Sequence, residues 1–295
     1  MAQLTLPAPK NRLRSALGKW IGLVPFFLFA LLFIILPSLG LLAGSFLDAQ
    51  GNFTLKNIAD LFTTPFIINA YKLSIQISAI TALGGGIFGF LLAYSVTVGG
   101  LPRPFRTAMI TFSGVASNFA GVPLAFAFVA TLGRTGFVTA LFNEIFGYNI
   151  YQTGFNLYSF WGLSFTYMYF QFPLMVLIMT PALDGLKREW REAAENLGAS
   201  TAQYWIRIAL PILMPSILGS MILLFGNAFG AYATAYALTG GTLPIITIQI
   251  GAQIRGDVLH NPNLGFAMAM GMVFIMAVSL AGYSWLQKYS ERWLR

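Results

Sequence analysis

The sequence predicts an all-α, polytopic membrane protein, and three observations support this prediction. Hydrophobic residues make up 57% of the 295 residues and charged residues only 9%, whereas about 25% of an average soluble domain is charged. The few charges are separated by long uncharged segments, each able to cross a bilayer as a helix of about 20 residues. Lys and Arg concentrate on one side of those segments. This composition excludes an ordinary soluble enzyme.

Hydropathy places six membrane spans near residues 21–45, 70–97, 107–131, 157–182, 214–238 and 264–286. The first span could instead be a signal peptide, but the uncharged run from Trp20 to Leu47 is far longer than the about 7–15 apolar residues of a signal sequence. It is therefore expected to remain as an anchor. After the fifth span, a Gly- and Pro-containing turn leaves a short apolar run, Ile245–Ile254, which is expected to lie at the interface or dip into the membrane.

The N-terminal segment, residues 1–19, alternates basic and apolar residues and predicts a short interfacial helix. If this segment is inside, thirteen Lys and Arg lie on inner segments and four on outer segments, the four being Lys56, Lys72, Arg134 and Arg255. The excess of inner positive charge predicts that both termini are cytoplasmic. The six spans together predict one transmembrane domain over residues 20–295.

The inner segment between spans four and five, residues 184–211, predicts a helical hairpin. Asp184 is expected to cap the first helix, and Gly198 to end it in a left-handed conformation. Ser200 and Gln203 form a capping-box pattern that opens the second helix, and Pro211 is expected to stop it. The first helix carries an apolar stripe, whose members are Leu186, Trp190, Ala193, Ala194 and Leu197.

An apolar stripe flanked by charges is typical of a helix that docks into a groove on a partner protein. The alternative is a hairpin that packs back under its own bundle. Small residues four apart in the spans, such as Gly85 and Gly89, favour close helix packing within the bundle or at a subunit interface.

The hairpin carries a specific motif: Glu192-Ala193-Ala194, then Gly198 after three residues, then Ile208-Ala209-Leu210-Pro211 after nine. This pattern resembles the EAA loop of type I ABC importer permeases, without a gap. Among these, the chain is most similar to the polyamine, opine, ferric-iron and aminoethylphosphonate group. The resemblance implies that the first hairpin helix is a coupling helix seated in a cleft of an ATP-binding subunit. The residues expected to carry or support that contact are Glu192, Ala193, Ala194, Gly198, Trp190 and Leu197.

The same resemblance implies an inner-membrane complex of a bacterium. The expected partners are two ATP-binding subunits, a second permease or a copy of this chain, and a periplasmic substrate-binding protein, within the lipid bilayer and without nucleic acid. ATP and Mg²⁺ are expected to bind the ATP-binding subunits, so this chain would have no cofactor of its own. The expected cargo is a small solute such as a polyamine or an opine.

No catalytic or metal-binding residues are predicted in this chain. The Gly84–Gly89 segment lacks the Lys of a Walker A loop, and the single histidine, His260, falls in an outer loop where it cannot serve a buried nucleophile. A secondary transporter or channel is the alternative function. Ion-coupled carriers usually need an ionisable residue within a span, and none lies well inside one here.

Polar residues in spans three to five are the candidates for a translocation path, because amides and hydroxyls in hydrocarbon need partners or water. These candidates are Asn118, Tyr167, Gln171, Asn227, Tyr232 and Tyr236. Hydrogen bonding between helices is the alternative role for each of them. Pro123 and Pro173 are expected to open the backbone locally, as in the discontinuous helices of transporters.

Overall fold

The computed structural model describes residues 22–256 and 260–291, and these residues form helices and short connections without a β-sheet. The predicted interfacial helix of residues 1–19 lies outside this part. The helices in chain order are α1 (Val24–Ser45), α2 (Lys56–Thr63), α3 (Pro65–Thr97), α4 (Arg103–Asn118), α5 (Val122–Leu132), α6 (Phe137–Phe146), α7 (Phe160–Asp184), α8 (Arg188–Asn196), α9 (Thr201–Phe229), α10 (Ala233–Thr239), α11 (Ile246–Arg255) and α12 (Pro262–Glu291).

Six helical segments of the described residues are long and apolar enough to cross a membrane, which confirms the predicted number. They are Val24–Ser45, Pro65–Thr97, Val122–Phe146, Phe160–Asp184, Thr201–Phe229 and Pro262–Trp285. The first, second, fourth and sixth agree with the predicted ranges to within a few residues at most ends. The third and fifth differ, since the chain leaves the helical path in both.

The third predicted span, 107–131, is wrong as a single helix. The chain breaks between α4 and α5, where Gly121 has φ +75° and ψ −148°, a region that essentially only glycine occupies. Pro123 follows as the second residue of α5. Proline cannot donate a backbone hydrogen bond to a preceding helical turn, but it is well suited to the first turn of a helix. The break is therefore encoded locally, and Pro123 opens the backbone as expected.

The fifth predicted span, 214–238, is also wrong as one helix, because α9 ends at Phe229 and α10 begins at Ala233. The Ala231 carbonyl, which an unbroken helix would pair within the segment, instead accepts a hydrogen bond from the Tyr167 hydroxyl at 2.8 Å. A side chain of α7 thus holds this break open. Pro173, by contrast, lies inside a continuous α7 and does not interrupt it.

Pro211 does not stop the second hairpin helix as predicted. A π-helical turn, Trp205–Ala209, precedes it, and α9 continues as one rod from Thr201 to Phe229. A proline ring normally clashes with the carbonyl four residues before it, and the wider turn gives the ring of Pro211 room. The hairpin, residues 188–209, therefore leads directly into a membrane helix.

The centre of the bundle is the contact between α3 and α7. A Cβ atom at Gly85 would lie 2.6 Å from the Gln171 Cβ, and one at Gly89 would lie 2.6 Å from the Met175 Cβ. Only glycine allows the two helices to approach this closely, so this glycine pair serves packing within the chain.

Two further helices define the edges of the bundle. The most apolar window of α1 has no buried residue, as expected for a helix surrounded by lipid. The short helix α11 is not a span, as predicted: Ile246, Gln249 and Gln253 are buried. Its first backbone N–H, from Ile246, donates to the Ser74 Oγ at 2.8 Å.

Candidate functional site

The two helix breaks lie against each other. The Gly121 N–H donates to the Thr234 Oγ1 at 2.7 Å, and α5 packs beside α10. The break in the third segment is thus tied by a hydrogen bond to the helix that follows the break in the fifth. Broken helices inside a membrane are tolerated only where they are buried in protein or line an aqueous cavity.

A cavity of about 380 Å³ opens between the two breaks. Its polar side chains are Ser117, Asn227, Tyr232 and Thr234, and glycine and alanine form much of the remaining wall. No charged side chain lines it among the described residues. The cavity is therefore a small, uncharged but polar chamber.

Two of the predicted path residues line this cavity. Asn227 is exposed there and Tyr232 is half-buried. Tyr236 lies beside the cavity, where its ring stacks on Tyr232 at 5.5 Å between ring centroids and remains 51% exposed. Asn118 is exposed at the end of α4, next to the lining residue Ser117, and its amide donates to the Gly114 carbonyl at 2.9 Å.

Tyr167 and Gln171 lie behind the wall of the cavity. Both are fully buried. The Tyr167 hydroxyl holds the Ala231 carbonyl, and the Gln171 Nε2 donates to the Thr81 Oγ1 at 3.1 Å. The Gln171 Oε1 has no hydrogen-bond partner in the described part of the chain. These two residues therefore join helices, which was the alternative role for polar residues in the spans.

Sequence reasoning missed Arg255, which it counted only as one of four outer basic residues. The guanidinium carbon of Arg255 lies 5.8 Å from the centroid of the Tyr232 ring, within cation–π distance. It also missed Thr234, because a single threonine in an apolar helix gives no sign that it will meet a glycine N–H of another segment.

The hairpin turn has the geometry that the sequence predicts. Gly198 has φ +79°, and α8 ends in a Schellman motif. In this motif the Gly198 N–H donates to the Glu195 carbonyl at 2.9 Å, and the Ala199 N–H donates to the Ala194 carbonyl at 3.0 Å. The capping box of Ser200 and Gln203 is also present. These features confirm the predicted turn conformation.

The predicted start of the hairpin is wrong. Asp184 is the last residue of α7, and α8 begins at Arg188 after Lys187. Both carboxylate oxygens of Asp184 accept hydrogen bonds from the Arg106 guanidinium, at 2.7 and 2.6 Å. The Asp184 carboxylate therefore forms an ion pair with α4 and does not cap the first hairpin helix.

The hairpin has an inner and an outer face. On the inner face Ala194, Tyr204 and Ala209 are buried, with Trp190 packed against them. On the outer face Glu192, Ala193, Leu197 and Gly198 are exposed, and Leu197 is 88% exposed. The inner face therefore packs the two hairpin helices on each other, and Trp205 also packs against the core of the bundle. The outer face is exposed.

Two ion pairs one helical turn apart stiffen α8. Arg188 pairs with Glu192 at 2.8 Å and Arg191 with Glu195 at 2.9 Å. The hydrogen bond from its side chain to Glu195, and the charge of that carboxylate, raise the pKa of Arg191. Exposed pairs of this spacing add only slightly to helix stability.

One rigid element connects the hairpin to the cavity. The rod α9 runs from Thr201, beside the hairpin turn, to Phe229, beside the break, and at 1.5 Å per residue its 29 residues span about 43 Å. Near the hairpin, Trp205 packs edge-to-face on Tyr94 of α3 at 4.9 Å between ring centroids. A single helix therefore joins the hairpin turn to the cavity wall.

Membrane helices around a polar cavity, with one helix that joins this cavity to a hairpin at one end, form an arrangement that suits a membrane permease. The chain belongs to the family of binding-protein-dependent transport system inner membrane components, whose family model matches residues 20–295. This family agrees with the type I ABC importer permeases that the EAA loop of the hairpin resembles.

Similar proteins carry ferric and sulfate names. A putative ferric transport system permease protein of Haemophilus influenzae is 25% identical over 256 residues, which are 86% of this chain and 39% of the relative. The chain thus spans about two fifths of the length of that relative. A probable sulfate transport system permease protein of Nephroselmis olivacea is 25% identical over 267 residues, 89% of each chain.

Solved structures share the fold. A bacterial ABC transporter involved in the import of the acidic polysaccharide alginate has a chain with a TM-score of 0.72 and 19% identity, and the match covers 96% of this chain and 98% of that one. The MetNI methionine ABC transporter in an inward-facing conformation has a chain with a TM-score of 0.53 and 15% identity, covering 77% of this chain and 99% of that one.

Proposed function

We propose that this chain forms the translocation path of an ATP-driven importer, with the cavity between the two breaks as the site through which the solute passes. The outer face of the hairpin is the docking site for an ATP-binding subunit. The observation that carries this proposal is the continuity of α9, because one rod joins the hairpin to the broken segment that lines the cavity.

The orientation in this proposal follows from charge. The hairpin end carries the basic residues Arg103, Arg106, Lys187, Arg188, Arg191 and Arg207, so it faces the cytoplasm and the opposite end faces the periplasm. Both termini are then cytoplasmic, and the membrane is the inner membrane of a bacterium.

The proposed partners are two ATP-binding subunits, which hold ATP and Mg²⁺, a periplasmic binding protein, and a second permease or a copy of this chain. One related alginate transporter structure contains a periplasmic protein bound to an alginate pentasaccharide, which supports a delivery partner of that kind.

In this mechanism the chain's residues do two things. When ATP-binding subunits close on the hairpin, α9 moves as a body and shifts the break at residues 230–232 against the break at Gly121. Asn227, Tyr232 and backbone groups at the breaks replace part of the water that the solute loses on entering the cavity. The Thr234 hydroxyl keeps the two breaks adjacent by holding the Gly121 N–H.

The names of the relatives, ferric and sulfate permeases, favour an inorganic or chelated cargo over the polyamine or opine that the sequence first suggested. The absence of an ionisable side chain in the described cavity lining disfavours the alternative of a secondary transporter with ion coupling there.

The outer face of the hairpin provides the test. Leu197→Ser should abolish co-purification with the cognate ATP-binding subunit while the permease still reaches the membrane at normal levels. Phe62→Ser is the matched control, because Phe62 is 77% exposed but lies on α2, at the opposite end. Retention of the ATP-binding subunit by the Leu197→Ser variant would refute the proposed docking face.

A further inference from the structure

Arg255 lies one aromatic ring away from the cavity. It is the last residue of α11, and its guanidinium carbon is 5.8 Å from the centroid of the Tyr232 ring, which lines the cavity. Gly251, one turn earlier, lets the ring lie directly on α11, since a Cβ there would be 3.3 Å from the Tyr232 Cε2. Tyr232 is therefore held between α11 and the cavity.

Arg255 belongs to the end of the bundle opposite the hairpin. The neighbouring Gln253 carbonyl accepts the Asn261 N–H at 3.0 Å, and Asn263 donates to the Asp48 carbonyl of the loop after α1. Arg255 itself is exposed. In the proposed orientation it stands on the side from which the solute arrives.

The charge of Arg255 is not neutralised by a carboxylate in the described part of the chain. The ion pairs found there are Arg106–Asp184, Arg188–Glu192 and Arg191–Glu195. The described lining of the cavity supplies no charge of either sign. A cation next to an uncharged cavity makes the electrostatic potential there more positive.

We propose that Arg255 makes the cavity select for anionic solutes, such as a small oxyanion or a metal complex with net negative charge. This inference rests on the proposed function of the cavity as the translocation path. A cationic solute would meet repulsion from Arg255 and no carboxylate in the described lining of the cavity. The Tyr232 ring already forms a cation–π contact with the Arg255 guanidinium. An amine solute would therefore have to compete with Arg255 for this contact.

The chain contains no cysteine, so a single-cysteine variant has one thiol in this chain, and its modification is read on the separated permease subunit. We would prepare Asn227→Cys and Ser117→Cys on two walls of the cavity, in the permease complex in proteoliposomes. Each is reacted with two thiol reagents of similar size, the anionic 2-sulfonatoethyl methanethiosulfonate and the cationic 2-(trimethylammonium)ethyl methanethiosulfonate. The ratio of the anionic to the cationic rate measures the local potential.

The ratio should fall by about tenfold when Arg255→Gln is added, because each rate shifts by about threefold in opposite directions. Arg255→Lys, which keeps the charge, should preserve most of the ratio. Lys72→Gln is the matched control: it removes a base near the same end, two residues before the Ser74 that contacts α11, and should leave the ratio unchanged.

The outcomes separate the two proposals. If neither cysteine reacts with either reagent, the cavity is not a solvent-accessible path and the proposed function of the cavity fails, together with this inference. If both react and Arg255→Gln leaves the ratio unchanged, the path stands and the selection of anions by Arg255 is overturned. A tenfold fall with Arg255→Gln and none with Lys72→Gln supports it.

Discussion

The two helix breaks that form the cavity are made by different physics. At the first break, Gly121 adopts a conformation that only glycine reaches readily, and Pro123 starts the next helix. At the second, Gly230 keeps right-handed dihedral angles, φ −85° and ψ −7°, and Tyr167 of another helix holds the Ala231 carbonyl. The first break is determined by the residues of its own segment, whereas the second depends on a contact with another helix.

This difference suggests a division of labour in the proposed mechanism. A break fixed by backbone stereochemistry stays in place when neighbouring helices move. A break held by one side-chain hydrogen bond can change when α9 moves against α7. We therefore expect the first break to be the fixed wall of the cavity and the second to be the moving one.

The largest effect is expected from Gly121→Val. A β-branched residue is strained in this region of backbone space, and this strain should destabilise the protein by about 2–3 kcal/mol. Thermal unfolding of the purified permease in detergent measures this. Gly114→Ala is the control: Gly114 lies within α4 with no atom near its Cβ position, so this change should be neutral or slightly stabilising.

A smaller effect, about 1–2 kcal/mol of local backbone strain, is expected from Gly198→Val at the hairpin turn. A Cβ at Gly198 would meet no other atom, so the effect isolates stereochemistry. Membrane levels should stay normal, while ATP-binding subunit association weakens. Gly198→Asn should be mild, since asparagine tolerates left-handed angles, whereas Gly121→Asn should not rescue the first break. Equal behaviour of the two Asn variants would contradict the assignment of distinct conformations.

Tyr167→Phe tests the tertiary break and should cost about 1–1.5 kcal/mol, because it leaves the Ala231 carbonyl without its partner. We also expect the segment from α9 to α10 to become more helical, since Gly230 is already right-handed. Amide hydrogen exchange at residues 230–235 would then slow. Unchanged or faster exchange there would show that the Tyr167 hydroxyl is not what keeps this segment from becoming helical. Tyr236→Phe, which removes the hydroxyl of a half-exposed tyrosine, serves as the control.

The smallest effect is expected from Thr234→Val, a change of similar volume that removes the acceptor of the Gly121 N–H and should cost about 1 kcal/mol or less. Thr131→Val is the control, because the Thr131 hydroxyl bonds only to its own helix. A larger loss of transport than of stability in Thr234→Val would show that contact between the breaks matters for the path itself.

The comparison also explains what could be predicted from the sequence. The hairpin turn depends on Gly198, Ser200 and Gln203, whose rules are local, and its conformation is confirmed. The start of the hairpin was misplaced because Arg106, far away in sequence, binds Asp184. Its end was misplaced because a π-helical turn before Pro211 removes the expected stop.

The cavity was predicted only in part, for the same reason. Hydropathy identifies apolar stretches but contains no information on where a helix within them breaks. It therefore predicts spans three and five as continuous helices. Asn227 and Tyr232 stood out as polar residues around a glycine. The roles of Tyr167 and Arg255 depend on which helices meet, and that information lies in the packing.

Because α9 is one continuous helix, it fixes the rotation of the hairpin about the helix axis relative to the cavity. Each residue added to or removed from it would rotate the hairpin by about 100° about the helix axis and shift it by 1.5 Å relative to the cavity. The π-helical turn at Trp205–Ala209 already holds about one residue more than a regular α-helical turn. The rotation of the hairpin relative to the cavity therefore depends on this extra residue. Single-residue insertions should therefore be far less tolerated between residues 205 and 229 than in the loops at the opposite end.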